Sequence, residues 1–288
     1  MTVDGAEPVE GFVFATTGAV YTDLARRAVR NLRQVMPAAA VDLFTDQAVE
    51  DDAFDRVVPL DRSWFRPKME ALRRSRFQRT VYLDSDCVVI ADVSDVFEIL
   101  KRFDVAGVQH HRRNWRMGRT PSRTGAPPAF PQIVSAVFGV RRSAATDAML
   151  DEWERVLRDT DGPKDQPVLR DLLWDGDLRI HVLPMDYNVH TPAPTLPQMD
   201  GSNAAPKILH YSKLQRPPYG DPESPFDVEA LAGPMVARHI ARLQAADAHM
   251  GGDPEVPVPA LTYSIRATTR RLLWRRLRRP FAPRNVER

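Results

Sequence analysis

The sequence predicts an α/β domain with a mostly parallel sheet covered by helices on both faces, followed by a basic helical tail. The first observation is that apolar, β-branched segments alternate with amphipathic helical segments. The second is that 288 residues, 43% of them hydrophobic, are enough to bury one sizeable core. The third is the segment 81–90, Val-Tyr-Leu-Asp-Ser-Asp-Cys-Val-Val-Ile, which reads as a buried strand interrupted by two carboxylates.

The elements follow one another in a regular order. Residues 11–16 form the first predicted strand, and Thr22 or Asp23 can cap a helix that Pro37 ends. Alternation and apolar runs predict further strands at 41–45, 56–60, 81–90, 103–109, 133–140, 178–183 and 207–211. Helical periodicity predicts helices at 68–78, 144–157, 166–174 and 226–247. Ligands of such sheets bind outside the carboxyl ends of the strands, where Thr16, Asp84 and Asp86 would lie.

Composition divides the chain into three predicted parts. Residues 11–250 form the folded domain, residues 251–260 a Pro-rich linker, and residues 261–288 a basic amphipathic tail. Arginines flanking an apolar strip suit the tail to an anionic membrane surface. A disordered charged terminus and nucleic-acid binding are the alternatives for this tail.

Cysteine content and charge set the expected compartment. Cys87 is the only cysteine, so no intrachain disulfide can form and a reducing environment is expected. The first ten residues carry three acids and do not resemble a signal peptide, and no apolar stretch is long enough to span a bilayer. We therefore expect a cytoplasmic protein, with the tail on the inner face of the membrane.

Asp84 and Asp86 are the candidate metal ligands. Side chains two residues apart on a strand point to the same side, and two carboxylates there can bind one divalent cation. A strand end with solvated carboxylates is the alternative. Asp175 and Asp177 have the same spacing, but Gly176 between them and the preceding helix indicate a surface turn.

Four segments carry a resemblance to a known family. The chain from Gly11 to Tyr219 resembles the GT-A glycosyltransferases of family 8, which include glycogenin and bacterial lipopolysaccharide galactosyl- and glucosyltransferases. The matching segments are Lys68-Met69, Val134-Ser135-Ala136, Asp165-Gln166 and the stretch from His210 to Pro217. Ser135-Ala136 departs from the family's Asn-Ser-Gly, Lys213 replaces its glycine, and Arg216 replaces its lysine. The resemblance implies a GT-A type, Rossmann-like mixed sheet flanked by helices.

The resemblance also implies an activity and a site. It implies transfer of a sugar from a nucleotide sugar, most simply a UDP-sugar, to a glycan or glycolipid acceptor, with retention of anomeric configuration. Mn²⁺ (or Mg²⁺) would be held by Asp84, Asp86 and His210. The implied donor-binding residues are Ala15, Thr16, Thr17, Tyr21, Lys68, Asp84, Ser85, Lys213 and Arg216, and the implied catalytic residues are Asp165, Gln166 and Arg216.

The sequence allows several alternatives for these residues and for the function. Lys68 can be a solvated helix-start lysine, and Asp165-Gln166 a helix cap with its first turn. The long basic segment 110–131 suits donor phosphate or an anionic acceptor better than nucleic acid, and adjacent His110 and His111 are not expected to bind one metal. A sugar-1-phosphate nucleotidyltransferase and a non-catalytic, membrane-associated nucleotide-sugar-binding protein are the rival functions.

Overall fold

The structure is a computed structural model that describes residues 8–110, 112–159, 164–190 and 192–261. Its strands are β1 (Glu10–Thr16), β2 (Val41–Thr45), β3 (Arg56–Pro59), β4 (Arg79–Leu83), β5 (Cys87–Val89), β6 (Val105–Gln109), β7 (Ile133–Arg141), β8 (Ile180–Leu183), β9 (Val189–His190) and β10 (Ile208–His210). Its α-helices are α1 (Ala19–Val35), α2 (Lys68–Arg74), α3 (Asp95–Leu100), α4 (Ala144–Asp159), α5 (Asp165–Asp175), α6 (Pro192–Thr195), α7 (Val228–Ala232) and α8 (Pro234–Ala246). Short 3-10 helices span Met185–Asn188, Leu196–Gln198, Ser212–Gln215 and Ala248–Met250.

Seven strands form the main sheet, in the order β3-β2-β1-β4-β7-β6-β8. β7 is antiparallel to both of its neighbours, β4 and β6, while the other pairs are parallel. The mostly parallel α/β sheet predicted from the alternation of strands and helices is therefore confirmed. A second sheet, in the order β5-β10-β9, lies beside it.

Side-chain alternation along the strands divides the core between the two faces of the main sheet. Phe12 and Phe14 of β1 belong to one buried cluster, which also contains Leu24 of α1. Val13, between them, belongs to the other cluster, together with Trp153 of α4. Each face is thus covered by helices whose apolar stripe meets it, as expected of a sheet buried on both sides.

The segment 81–90 does not form the single strand that the sequence predicts. It is divided between β4 in the main sheet and β5 in the second sheet, and residues 84–86 form the connection. The carbonyl of Asp84 accepts a hydrogen bond from the Cys87 backbone N–H, which closes a tight turn there. The chain turns at the two carboxylates and leaves the main sheet there. Both acids therefore lie at the carboxyl edge of the main sheet.

The predicted helix 226–247 is also divided. α7 ends at Ala232, the next residue, Gly233, has a φ of 84° in the left-handed region, and Pro234 begins α8. Glycine tolerates that backbone conformation, and proline suits the first turn of the next helix. The remaining predicted helices that bear on the site, those of α1, α2 and α5, are present near their expected positions.

The predicted tail, residues 261–288, lies outside the described residues except for Leu261, so its contact with a membrane stays a prediction. In the stretch predicted as a linker, Val258 is buried and its carbonyl accepts a hydrogen bond from the Gly201 backbone N–H at 2.8 Å. Among the described residues, no helix is long and apolar enough to cross a membrane.

Candidate functional site

The candidate site is a cavity of about 310 Å³ at the carboxyl ends of β1 and β4. Its size falls at the lower end of the range for small-molecule sites. Eight of the predicted site residues line it: Ala15, Thr16, Thr17, Tyr21, Lys68, Asp84, Ser85 and Asp86. Phe65, Arg66, Pro67, Tyr82 and Gln215 complete the lining. The carboxyl edge of the sheet therefore brings together side chains that are up to about two hundred positions apart in the sequence.

The β1 end of the cavity presents aromatic surface. Tyr21, at the start of α1, is 42% exposed, and Phe65 is 56% exposed. Thr16 is buried, and its hydroxyl forms a hydrogen bond with that of Thr22 at 2.9 Å. Exposed aromatic rings suit stacking of a nucleobase, whereas the Thr16 hydroxyl is already used to join β1 to α1.

Lys68 lies inside the cavity wall and is not a solvated surface lysine. It is 4% exposed, and its Nζ lies 3.2 Å from Asp84 Oδ1, 3.0 Å from Ser135 Oγ and 3.4 Å from Asp165 Oδ2. Burial alone would lower the pKa of Lys68, but the charges of Asp84 and Asp165 outweigh it and raise that pKa. Lys68 is therefore a buried ammonium on α2. It contacts β7 through Ser135, α5 through Asp165, and Asp84, the acid that follows β4.

Asp84 is oriented by two donors on the same oxygen. Its Oδ1 accepts hydrogen bonds from Lys68 Nζ and from the Tyr82 hydroxyl, the latter at 2.6 Å. Burial and the nearby Asp84 charge raise the pKa of Tyr82 well above its usual value, so the phenol keeps its proton and donates. Among the described residues, Asp84 Oδ2 accepts no hydrogen bond, which leaves one carboxylate oxygen for a ligand in the cavity.

Asp86 has a buried oxygen without a hydrogen-bond partner. Its Oδ2 accepts from Gln215 Nε2 at 2.7 Å, while Oδ1 has no hydrogen bond from any described residue. His210 Nε2 lies 3.4 Å from that oxygen. Burial would raise the pKa of the Asp86 carboxyl, but the His210 charge and the Gln215 hydrogen bond lower it, so Asp86 is ionised. The charged His210 ring is the ion-pair partner of this buried oxygen, and a divalent cation bound between the two groups would take over that role.

His210 lies where the sequence predicts it, at the end of a short strand. β10 is antiparallel to β5 with His210 opposite Cys87, and this pairing brings the imidazole to the Asp84–Asp86 turn. The second ring nitrogen, Nδ1, lies 3.2 Å from Asn188 Oδ1. Burial would lower the pKa of His210, but the Asp86 charge outweighs it and raises that pKa. Nε2 therefore carries a proton towards Asp86, and a cation bound there would replace that proton while Nδ1 donates to Asn188.

The donor set fits a divalent cation. Asp86 Oδ1 and His210 Nε2 are as far apart as two neighbouring ligands of one metal ion, and Asp84 Oδ2 lies in the same cavity wall without a donor. The sulfur of Cys87 also lies within this group. Burial and the two acids raise the pKa of that thiol well above its usual value, so it stays protonated. One carboxylate and one imidazole of this group remain, from Asp86 and His210, and Asp84 lies in the wall of the same cavity but outside the group. Carboxylate and imidazole ligands suit Mn²⁺ or Mg²⁺.

Asp165 and Gln166 open α5 beside this cavity. Asp165 is buried and accepts a hydrogen bond from Ser135 Oγ at 2.8 Å. Gln166 Oε1 accepts from Gln132 Nε2 at 3.0 Å. Burial would raise the pKa of Asp165, but the charges of Lys68 and Arg66 lower it. The pair is thus held by β7 and its preceding segment, and Asp165 shares the Lys68 ammonium with Asp84.

Lys213 and Arg216 do not line the candidate cavity. Both are exposed and line a neighbouring cavity of about 270 Å³, together with Tyr211 and Pro217. The 3-10 helix Ser212–Gln215 brings Gln215 to the Asp86 carboxylate instead. The roles predicted for Lys213 and Arg216 therefore stay predictions, and the structure adds Gln215 to the candidate residues.

Six contributors were not assigned from the sequence: Phe65, Arg66, Tyr82, Gln132, Asn188 and Gln215. Arg66 lines the cavity and lies 3.5 Å from Asp165 Oδ2, and the basic pair it forms with Lys68 around Pro67 is a signal that could have indicated it. Gln132 and Asn188 act through contacts with distant residues, which no local pattern shows. Of the adjacent histidines, His110 stacks with Trp115, and His111 lies outside the described residues.

Comparisons with known proteins support the fold. The sequence matches no protein-family model and no curated protein. The structure is similar to that of the galactosyltransferase LgtC in complex with donor and acceptor sugar analogues, with a TM-score of 0.52, 13% identity, and coverage of 81% of this chain and 94% of LgtC. It is also similar to the glycosyltransferase GlyE of Streptococcus pneumoniae, with a TM-score of 0.53, 16% identity, and coverage of 88% of this chain and 66% of GlyE.

A third similar structure is that of the bifunctional glycosyltransferase WbbM, with a TM-score of 0.48 and 14% identity. The alignment covers 73% of this chain and 47% of WbbM, so the chain spans less than half of that protein. The likeness to LgtC and GlyE shows that the chain has the fold of these two proteins, a mixed sheet flanked by helices, as the sequence resemblance implies.

Proposed function

We propose that this chain is a metal-dependent glycosyltransferase that moves a sugar from a nucleotide sugar, most simply a UDP-sugar, to a glycan or glycolipid acceptor. The observation that carries the proposal is the buried Asp86 Oδ1, which accepts no hydrogen bond from a described residue and lies 3.4 Å from His210 Nε2 at the carboxyl edge of the sheet. A divalent cation held by Asp84, Asp86 and His210 would compensate the charge of the diphosphate as the sugar–phosphate bond breaks.

The residues around the cavity have distinct tasks in this proposal. Tyr21 and Phe65 supply aromatic surface for the base. Arg66, on the cavity wall, offers a cation to the diphosphate. Lys68 holds Asp84 and Asp165 in place, since its ammonium lies between both carboxylates. These groups are set by the fold before the donor binds, so little reorganisation is needed on binding.

Asp165 and Gln166 are proposed to position the transferred sugar. Gln166 Oε1 accepts a hydrogen bond from Gln132, so the amide nitrogen of Gln166 can donate to a ligand. An ionised carboxylate accepts several hydrogen bonds, so Asp165 can bind a sugar hydroxyl in addition to Ser135. We expect retention of anomeric configuration, as in the family that the sequence resembles.

The experiment that tests the function is UDP release from a panel of UDP-sugars with Mn²⁺. We expect release from one sugar, loss of that activity with EDTA, and loss in His210→Ala. His249→Ala, at an exposed histidine outside the cavity, should behave as the wild type. Turnover that persists in EDTA, or the absence of UDP binding with Mn²⁺, would contradict the proposal.

A second variant tests the positioning of the proposed metal ligand. Asn188→Ala removes the only hydrogen bond that a described residue forms with His210 Nδ1. Because such outer partners fix the orientation of a ligating histidine, we expect Mn²⁺ affinity to fall by about ten- to a hundredfold. Direct Mn²⁺ titration followed by electron paramagnetic resonance measures this without turnover. Unchanged affinity in Asn188→Ala, with the exposed Asn114→Ala as the control, would exclude the role.

A further inference from the structure

A second, larger cavity lies in the long segment between β6 and β7. Its volume is about 530 Å³, and it is lined mainly by residues of the segment 110–132, together with Arg170 of α5. The segment is anchored to α5 by polar contacts: Ser122 Oγ donates to Asp171 Oδ1 at 2.8 Å, and Arg170 Nη1 donates to the Thr120 carbonyl at 3.0 Å. Hydrogen bonds therefore hold this basic segment against α5, the helix that begins with Asp165.

Two sets of contacts connect this cavity to the proposed reaction centre. Gln132 lines the cavity and donates to Gln166 Oε1, the residue proposed to lie beside the transferred sugar. In the second set, the His110 ring, which also lines the cavity, is 6.3 Å from the His190 ring, and His190 is 4.8 Å from the His210 ring. A molecule in this cavity would therefore lie next to the sugar end of a bound donor.

The charge of the cavity is positive. The described residues that line it include three arginines and no carboxylate: Arg113, Arg119 and Arg170. The Arg170 guanidinium is paired with Asp171, and Arg113 donates to the Pro128 carbonyl. Arg119 is exposed, and its guanidinium has neither an ion pair nor a hydrogen bond with any other described residue. Arginine binds phosphate and carboxylate groups in a bidentate manner, so Arg119 is a free anion-binding group at this wall.

A buried polar atom independently indicates a ligand in the same place. Gln132 is 9% exposed, and its Oε1 has no hydrogen-bond partner among the described residues. An unpartnered amide oxygen at a cavity wall is suited to accept a hydrogen bond from a sugar hydroxyl. Trp115, which is 46% exposed, stacks with His110, one of the residues that line the cavity.

We propose that this cavity is the acceptor site and that it takes a sugar bearing a phosphate or carboxylate group, with Arg119 as the specificity-determining residue. This inference rests on the proposed glycosyltransferase function. In the transfer, the bond between the acceptor oxygen and the anomeric carbon forms as the bond from that carbon to the diphosphate breaks. The hydroxyl proton passes to the leaving diphosphate.

The test is a titration of the full chain, in the presence of UDP and Mn²⁺, with three matched methyl glycosides. The probes are methyl glucoside 6-phosphate, methyl glucuronide and neutral methyl glucoside, and ligand-observed NMR gives each Kd. We expect at least one anionic probe to bind about tenfold more tightly than the neutral one, since a charge-assisted hydrogen bond is worth about that factor. The tighter of the two anionic probes identifies phosphate or carboxylate as the preferred group.

Two variants test whether the anionic probe binds in this cavity. Arg119→Glu should weaken the anionic probe about tenfold or more, whereas Arg116→Glu, an identical charge change in the same segment but outside the cavity lining, should leave it unchanged. Equal affinity for charged and neutral probes, no binding of any probe, or equal losses in both variants would overturn the acceptor proposal. The titration needs no turnover, so a wild type that fails to bind UDP with Mn²⁺ counts against the proposed function instead.

Discussion

Asp86→Asn is expected to abolish metal-dependent sugar transfer, with a loss of activity of about a hundredfold or more. The substitution keeps the shape of the side chain but removes its charge. If the amide oxygen keeps the hydrogen bond from Gln215, the NH₂ group takes the position of Oδ1 and cannot bind a cation. Mn²⁺ binding, measured by electron paramagnetic resonance, should be lost together with UDP release.

The sequence provides a matched control for this variant. Asp177→Asn changes the second acid of another Asp-x-Asp segment, which is exposed just beyond the end of α5. It should leave activity and Mn²⁺ affinity unchanged. Thermal unfolding without metal checks that Asp86→Asn remains folded. Wild-type Mn²⁺ affinity in a folded Asp86→Asn variant would remove Asp86 from the proposed metal site.

Lys68→Met should destabilise the protein by about 3–5 kcal/mol, the usual cost of removing one partner of a buried ion pair. The ammonium is shared by Asp84 and Asp165, and Asp165 is itself buried. Methionine fills a similar volume, so the cost comes mainly from carboxylates that lose their compensating charge. Urea unfolding in EDTA measures the change in the free energy of unfolding.

A surface lysine is the control for Lys68. Lys101 pairs with Glu98 at an exposed helix end, and Lys101→Met should change stability by less than about 1 kcal/mol. In the double variant Lys68→Met/Asp165→Asn, part of the lost stability should return, because one uncompensated charge is removed. A Lys68→Met variant as stable as Lys101→Met would show that the network around Lys68 contributes little to the fold.

Much of the fold could be predicted from the sequence. The order of strands and helices is carried by period-two and period-3.6 patterns, and both are strong in the half of the chain that contains β1, α1 and β4. The position of Asp84 and Asp86 at a strand end, and of His210 at the end of β10, also follows from local patterns. Because parallel strands present their carboxyl ends at one edge, those patterns were enough to locate the cavity.

The remaining features depend on contacts that no local pattern contains. Asn188 contacts a histidine 22 positions later, and Gln132 contacts a residue 34 positions later. The turn at residues 84–86 separates β4 from β5 because β5 pairs with β10, a strand more than a hundred residues away. Gln215 reaches Asp86 because Ser212–Gln215 is a 3-10 helix, a detail that the spacing of the surrounding basic residues does not reveal.

The most direct test of the account is a crystal structure of the full chain grown with UDP and Mn²⁺, with the metal located by its anomalous scattering. We predict an anomalous peak within coordination distance of Asp86 Oδ1 and His210 Nε2, with Asp84 on the same ion and the UDP base beside Tyr21. A manganese peak away from these residues, or UDP bound outside the cavity that Lys68 and Asp84 line, would contradict the proposed site.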